Sequence, residues 1–263
     1  MTRNRSRTER PHPAELPSRQ TLLESTDWAS LATACGTGES LPAGLIRLTD
    51  PDPVVRESAV RDALAPVTHQ NSIYEATVPV ALYVAAVLDH PAIATDRSPH
   101  DAKTPPGDPT LVRLLDWLGD TAYDADDKCL ALAECHDGED FFDENQEMRA
   151  FRDARPAIFS AVQVLLGHEN ADIRHAALVA AIPLIEHPLL TRHRTDLSGH
   201  ARRLLATSTD RHHRDRVLDT LKAWGHDTSS LENASDIAAR EHYARFRAAR
   251  ASWEGGYSED PPF

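Results

Sequence analysis

The residues best placed to do chemistry in this chain are carboxylates. Between Asp116 and Glu147 there are twelve acids and one base, Lys128, a charge of −11 in 32 residues. The run includes Asp120, Asp124, Asp126, Asp127, Asp137, Glu139, Asp140, Asp143 and Glu144, with Phe141 and Phe142 adjacent inside it. Carboxylates at this density create a negative field that steers a basic partner towards the surface. A pair of phenylalanines would supply an apolar anchor at the centre of such a contact. The bland reading is a solvated acidic insertion with its aromatics tucked against the body of the protein. Calcium is a third reading, since Asp124-x-Asp126 and Asp137-Gly-Glu-Asp140 offer oxygens, but neither fits the twelve-residue loop that orders them.

Other reactive groups are sparse. No Gly-rich phosphate loop, Gly-x-Ser-x-Gly elbow or His-Glu-x-x-His helix is present. Gly36-Thr-Gly38 lacks the rest of any nucleotide motif. Cys129 and Cys135-His136 match no common zinc spacing, and His212-His213 reads as solvated helix surface. No cofactor, metal or catalytic residue is expected.

The elements that must carry the acidic run are helical. Of the 263 residues 41% are hydrophobic, but alanine and leucine supply most of them and aromatics only 6%. Mean hydropathy is −0.46. This mixture suits closely packed helices and is poor for a sandwich or barrel. Apolar spacings of three and four mark helices near 53–64, 73–88, 110–119, 127–135, 148–166, 171–186, 197–207, 211–224 and 235–252. Pro79 should kink the second of these or mark a later start. Ile237, Phe246 and Trp253 would form the apolar side of the last. Residues 91–109 hold five prolines and read as an exposed loop; no alternating strand pattern stands out.

Residues 1–20 contain five arginines, three prolines, two acids and one leucine, which is too little apolar area to offset the entropy of ordering. They are expected to be a disordered arm, residues 21–253 a single domain, and 254–263 a frayed tail. Without the arm the balance is 23 bases to 39 acids, which repels nucleic-acid phosphate. Three cysteines, an odd number, suit reduced thiols, and no stretch is apolar for the 18 or so residues of a membrane span. A cytoplasmic protein binding neither nucleic acid nor membrane is the expectation.

Two segments superimpose. Leu45-Ile-Arg-Leu-Thr-Asp-Pro-Asp-Pro-Val-Val-Arg-Glu-Ser-Ala-Val-Arg-Asp-Ala-Leu64 aligns with Val164-Leu-Leu-Gly-His-Glu-Asn-Ala-Asp-Ile-Arg-His-Ala-Ala-Leu-Val-Ala-Ala-Ile182. In each, a helix end meets a polar turn, then Val55-Arg56 or Ile173-Arg174, then small residues at Ala59 or Ala177. A weaker third copy runs from Leu204-Leu205 through Val217 and Leu221, with His213 in place of the arginine and Arg216 in place of the alanine. Val55 lies 118 residues before Ile173, close to three units of 39, and Ile173 lies 39 before His212.

This pattern resembles the HEAT repeat. The Arg/Ala/Asp-rich usage and the Asp126-Asp127-Lys128 segment, followed by Arg149 to Pro156, are also similar to HEAT-repeat proteins of high-GC actinobacteria. The resemblance implies an all-α fold: a right-handed α-solenoid of degenerate HEAT-like helix pairs, with the proline loop and the acidic segment as insertions. Arginines of the Val-Arg type would be packing devices that cap or bridge turns. Such solenoids bind along extended surfaces. The expected function is non-catalytic protein binding, in its sharpest form an immunity-type protein that neutralises a cognate basic toxin. The alternatives are an intracellular scaffold or regulatory adaptor and, from the resemblance alone, a DNA glycosylase or bilin lyase.

Overall fold

The computed structural model describes residues 15–94, 109–138 and 140–251. The expected arm up to residue 14, most of the proline loop, Glu139, Trp253 and the C-terminal tail lie outside them. The described residues are mostly helical. They fall into two compact units, the chain dividing between Leu197 and Ser198.

The first unit opens with α1 (Arg19–Ser25), whose N-cap Ser18 accepts a hydrogen bond from the Thr21 amide, so the last residues assigned to the arm are helical. Next come α2 (Leu41–Arg47), α3 (Pro53–Leu64), α4 (Thr77–Val87), the single turn α5 (Pro91–Ala94) and α6 (Thr110–Asp124). After α6 follow α7 (Asp127–Asp137), the single turn α8 (Phe141–Glu144), α9 (Gln146–Leu165) and α10 (Ala171–Leu184). Between the helices lie two short antiparallel hairpins, β1 (Ala32–Thr33) with β2 (Gly36–Thr37), and β3 (Thr68–His69) with β4 (Ser72–Ile73). Each strand is only two residues long, too short to show an alternating pattern. Gln70 and Asn71 form the second turn at φ 51° and 60°, the left-handed region in which asparagine is among the few tolerated side chains. Helix α4 starts later than Ile73, so Pro79 falls in its first turn, where no intrahelical partner is lost.

Helix α3 packs on α2 and α6, α4 on α2, α6 and α9, and α10 on α6 and α9. Small residues set the closeness of these contacts. Ala59, Ala63, Ala176, Ala177, Ala180 and Ala181 are all fully buried. A methyl group added at Gly119 of α6 would lie 3.2 Å from the Ala180 Cα of α10, so any larger residue would require α10 to give by a few tenths of an ångström.

A recurring device ties each turn to the helix after it. Asp52, Asn145, Asn170 and Asp210 are N-caps, accepting from the amides of Val54, Met148, Asp172 and His213 at 2.8–2.9 Å. The fourth residue after each cap is arginine: Arg56, Arg149, Arg174 and Arg214. Each guanidinium reaches back to carbonyls of the preceding turn. Arg56 donates to Asp50 O at 2.6 Å, Arg149 to Asp143 O at 2.5 Å, Arg174 to His168 O at 2.6 Å and Arg214 to Leu205 O at 2.5 Å. These carbonyls lie at or just past a helix C-terminus, where no intrahelical donor remains and a cation is favoured. The third repeat copy is therefore corrected by one residue. Its arginine is Arg214, 40 residues after Arg174, while His213 merely lends its amide to the cap.

The second unit takes α11 (Arg194–Thr207) from Ser198 onward, then α12 (Arg211–Ala223) and α13 (Ala234–Ala251). At its centre Arg214 meets Asp236 of α13, with Nη2 to Oδ2 at 2.6 Å and both side chains 3% exposed. Arg214 also donates to Leu231 O at 3.1 Å, and Asp236 accepts from the Asn233 amide at 2.7 Å. These donors hold the Asp236 carboxyl below its usual range, the Arg214 hydrogen bonds contributing most. The expected apolar side of α13 is corrected: Ile237 and Phe246 are 38% and 60% exposed, Ile237 beside the face that carries Asp236 and Ala239, and Phe246 beyond Tyr243, the last residue of α13 that α12 reaches.

Two outcomes are expected. Ala177→Arg, and likewise Ala59→Arg, should destabilise by about 3 kcal/mol or more in a denaturant titration, since each overpacks a contact and buries a charge. Unchanged midpoints would show that these faces are not interior. Asp236→Ala should cost about 3–5 kcal/mol by stranding the Arg214 guanidinium, and amide exchange in α13 should accelerate before that in α10.

Candidate functional site

The acidic segment leaves the body of the first unit at the end of α6 and returns at the start of α9. Asp120 is exposed on α6, and Asp124 is half-buried in its last turn. Asp126 is not a surface acid. It is 9% exposed and N-caps α7, accepting from the Cys129 amide at 2.6 Å. This carboxylate and burial push the Cys129 thiol up to about 11, burial contributing most, so it is not a reactive thiolate.

Asp127 anchors the segment. Its amide donates to Glu186 Oε2 at 3.0 Å, and its carboxylate pairs with Arg152 of α9 at 2.5 Å. Arg152 also donates to Ala125 O at 2.6 Å. Beneath it Arg155, its side chain 1% exposed, donates to the same carbonyl and lies 3.4 Å from Glu186. Burial and the charge of Asp127 raise Glu186 to about 7, outweighing the attraction of Arg155. Burial, followed by the neighbouring Arg152, lowers Arg155 to about 10. Both shifts oppose charge, so the cluster holds through its hydrogen bonds to Ala125 O and the Asp127 amide more than through ion pairing.

Beyond this anchor the segment packs little. No described side chain of α7 is buried, and Leu132 is 54% exposed. Phe141 and Phe142 are half-buried. Phe142 lies beneath two guanidinium groups, 5.4 Å from Arg149 and 5.8 Å from Arg152, so it serves α9 in place of projecting as an anchor. Asp143 pairs with Arg149 at 3.3 Å. Asp140 and Glu144 are exposed. The Asp137 side chain and Glu139 lie outside the described residues.

The structure thus divides the twelve acids. Asp126, which is buried, and Asp127 and Asp143, which are exposed but paired with Arg152 and Arg149, hold the segment in place, whereas Asp140 and Glu144 are exposed beyond them. Sequence reasoning missed Arg152, Arg155 and Glu186, the side chains that anchor it. One signal was readable: Arg155 stands in the apolar stripe Phe151, Ile158, Phe159 and Val162 at helical spacing, and a charge there needs buried partners. Glu186 lies just past α10, and nothing local marks it. Among the described residues no three of His, Cys, Asp and Glu converge to hold a metal ion.

Because the folded Glu186 has a raised pKa, the folded state holds this proton more tightly than the unfolded chain. Its contribution is complete below pH about 4.5 and is lost as pH rises through about 7. Glu186→Gln keeps an acceptor for the Asp127 amide but cannot ionise. The melting temperature of the wild type relative to this variant should fall between pH 5 and pH 8. A difference that stays constant over that range would show that Glu186 does not titrate there.

Comparison with protein-family models, curated proteins and solved structures finds no match to this chain.

Proposed function

We propose that the first unit is a short right-handed α-solenoid of HEAT-like pairs, α2 with α3, α4 with α6 and α9 with α10, working as a protein-binding module. The packing supports this: α2, α4 and α9 touch in that order, as do α3, α6 and α10. The arginine clasps and buried alanines of α3 and α10 support it as well.

The partner is a basic protein, and its sharpest form is a toxin neutralised by an immunity-type protein. One observation carries this reading. Helix α7 has eleven residues, no buried described side chain and a firm anchor at its N-terminus alone. An under-packed helix is retained where another surface covers it. The acids Glu134, Asp140 and Glu144 follow the exposed Leu132 along the same segment, so the covering surface would be basic with an apolar contact beside it. The contact differs from the simplest expectation in its anchor: Leu132 takes the place of Phe142.

The test uses a variant carrying Glu134→Gln, Asp140→Asn and Glu144→Gln, none of which touches the anchor. A basic partner captured by the wild type at 50 mM salt should bind the variant about tenfold more weakly, mostly through slower association. Raising the salt to 300 mM should weaken wild-type binding in the same way. Equal affinity for both proteins would refute acidic docking and favour a scaffold whose partner carries no special charge.

A further inference from the structure

Helix α13 packs on α12 antiparallel, as three contacts show. Lys222 pairs with Glu232 just before α13, Arg214 with Asp236, and Arg211 lies over the ring of Tyr243 at 5.9 Å. Arg211 is the first residue of α12, so beyond Tyr243 α13 overhangs its neighbour by eight residues, about 12 Å. Every described residue from Arg240 to Arg250 is exposed. The stripe that meets α12 through Asp236 and Ala239 continues along the overhang as Tyr243, Phe246, Arg247 and Arg250. Tyr243 and Phe246 are 54% and 60% exposed. Arg245, Arg247 and Arg250 have no ion-pair partner among the described residues. A surface of this kind is an interface face continued past the helix that covers its first half.

Charge identifies what fits it. Of the 28 bases and 41 acids, ten of each follow residue 197, so all thirteen excess negative charges lie in the first 197 residues. The acidic segment there offers the complementary charge, with Glu134, the exposed Asp140 and Glu144, and the exposed Leu132 on one stretch of chain. We propose that the overhanging half of α13 docks on the α7–α8 segment of a second copy of this chain, seating Phe246 beside Leu132 and placing Arg247 and Arg250 against its carboxylates. The contact is head-to-tail between unlike surfaces, so it can extend beyond two copies. It does not depend on the existence of a toxin partner, but such a partner would compete for the same acidic segment.

Analytical ultracentrifugation of the full chain tests this. At 30 mM salt the weight-average mass should rise with concentration from 29.0 kDa towards twice that value, and it should return to 29.0 kDa at 500 mM salt. Arg247→Glu/Arg250→Glu and Glu134→Lys/Asp140→Lys/Glu144→Lys should each remain at 29.0 kDa alone, with unchanged helical circular dichroism. Mixed, the two variants should associate again, because each now carries the charge that the other has lost. A wild type that stays monomeric at low salt overturns the proposal, as does association that survives in the arginine variant or a mixture that fails to associate. Sedimentation of the monomer with vesicles of phosphatidylcholine and phosphatidylglycerol, with no self-association, would also overturn it and assign α13 to an anionic lipid surface.

Discussion

The fold depends on the way it disposes of helix-end carbonyls. Each helix leaves its last carbonyls without an intrahelical donor, and in stacked helices these ends are partly shielded from water. This chain answers with a cap and an arginine separated by one helical turn. The cap side chain satisfies an amide at the start of the next helix, while the arginine, one turn later, points back at the carbonyls just passed. Both ends of a turn are thereby fixed by residues of one short segment, which sets the direction in which the next helix departs. Arg214 extends the device by adding a buried carboxylate partner, so in the second unit one guanidinium joins the end of α11, the start of α12 and the approach to α13.

The acidic segment uses the same chemistry for another purpose. Arg149 clasps the α8 turn, Arg152 holds the Asp127 carboxylate, and Arg155 supports the Ala125 carbonyl beneath them. Three arginines on one face of α9 therefore take up the root and the return of an insertion whose middle packs against little. The cost is visible in Glu186 and Arg155, which burial drives towards their neutral forms.

Helix periodicity made most elements readable, because a stripe at spacings of three and four has few other solutions; α10 and α12 end within two residues of expectation. The turns were harder. The hairpins around Gln70 and at Gly36 have two-residue strands, so their signal is shorter than any window that could detect it. The third repeat copy was read one residue out of register because its arginine sits beside a histidine pair, and only the capping geometry separates Arg214 from His213.

The sequence by itself determined the helical class, the alanine faces that allow close packing, and the place of the acidic run, because composition and periodicity act locally along the chain. Which acids are held by a partner was decided only by tertiary structure. Asp126, Asp127 and Asp143 look like Asp140 in sequence, yet each meets a partner supplied by the fold around it, as near as the next turn or as distant as α9. The pairing of Arg155 with Glu186, 31 residues away, follows from the packing of α9 on α10, and no local pattern encodes that distance.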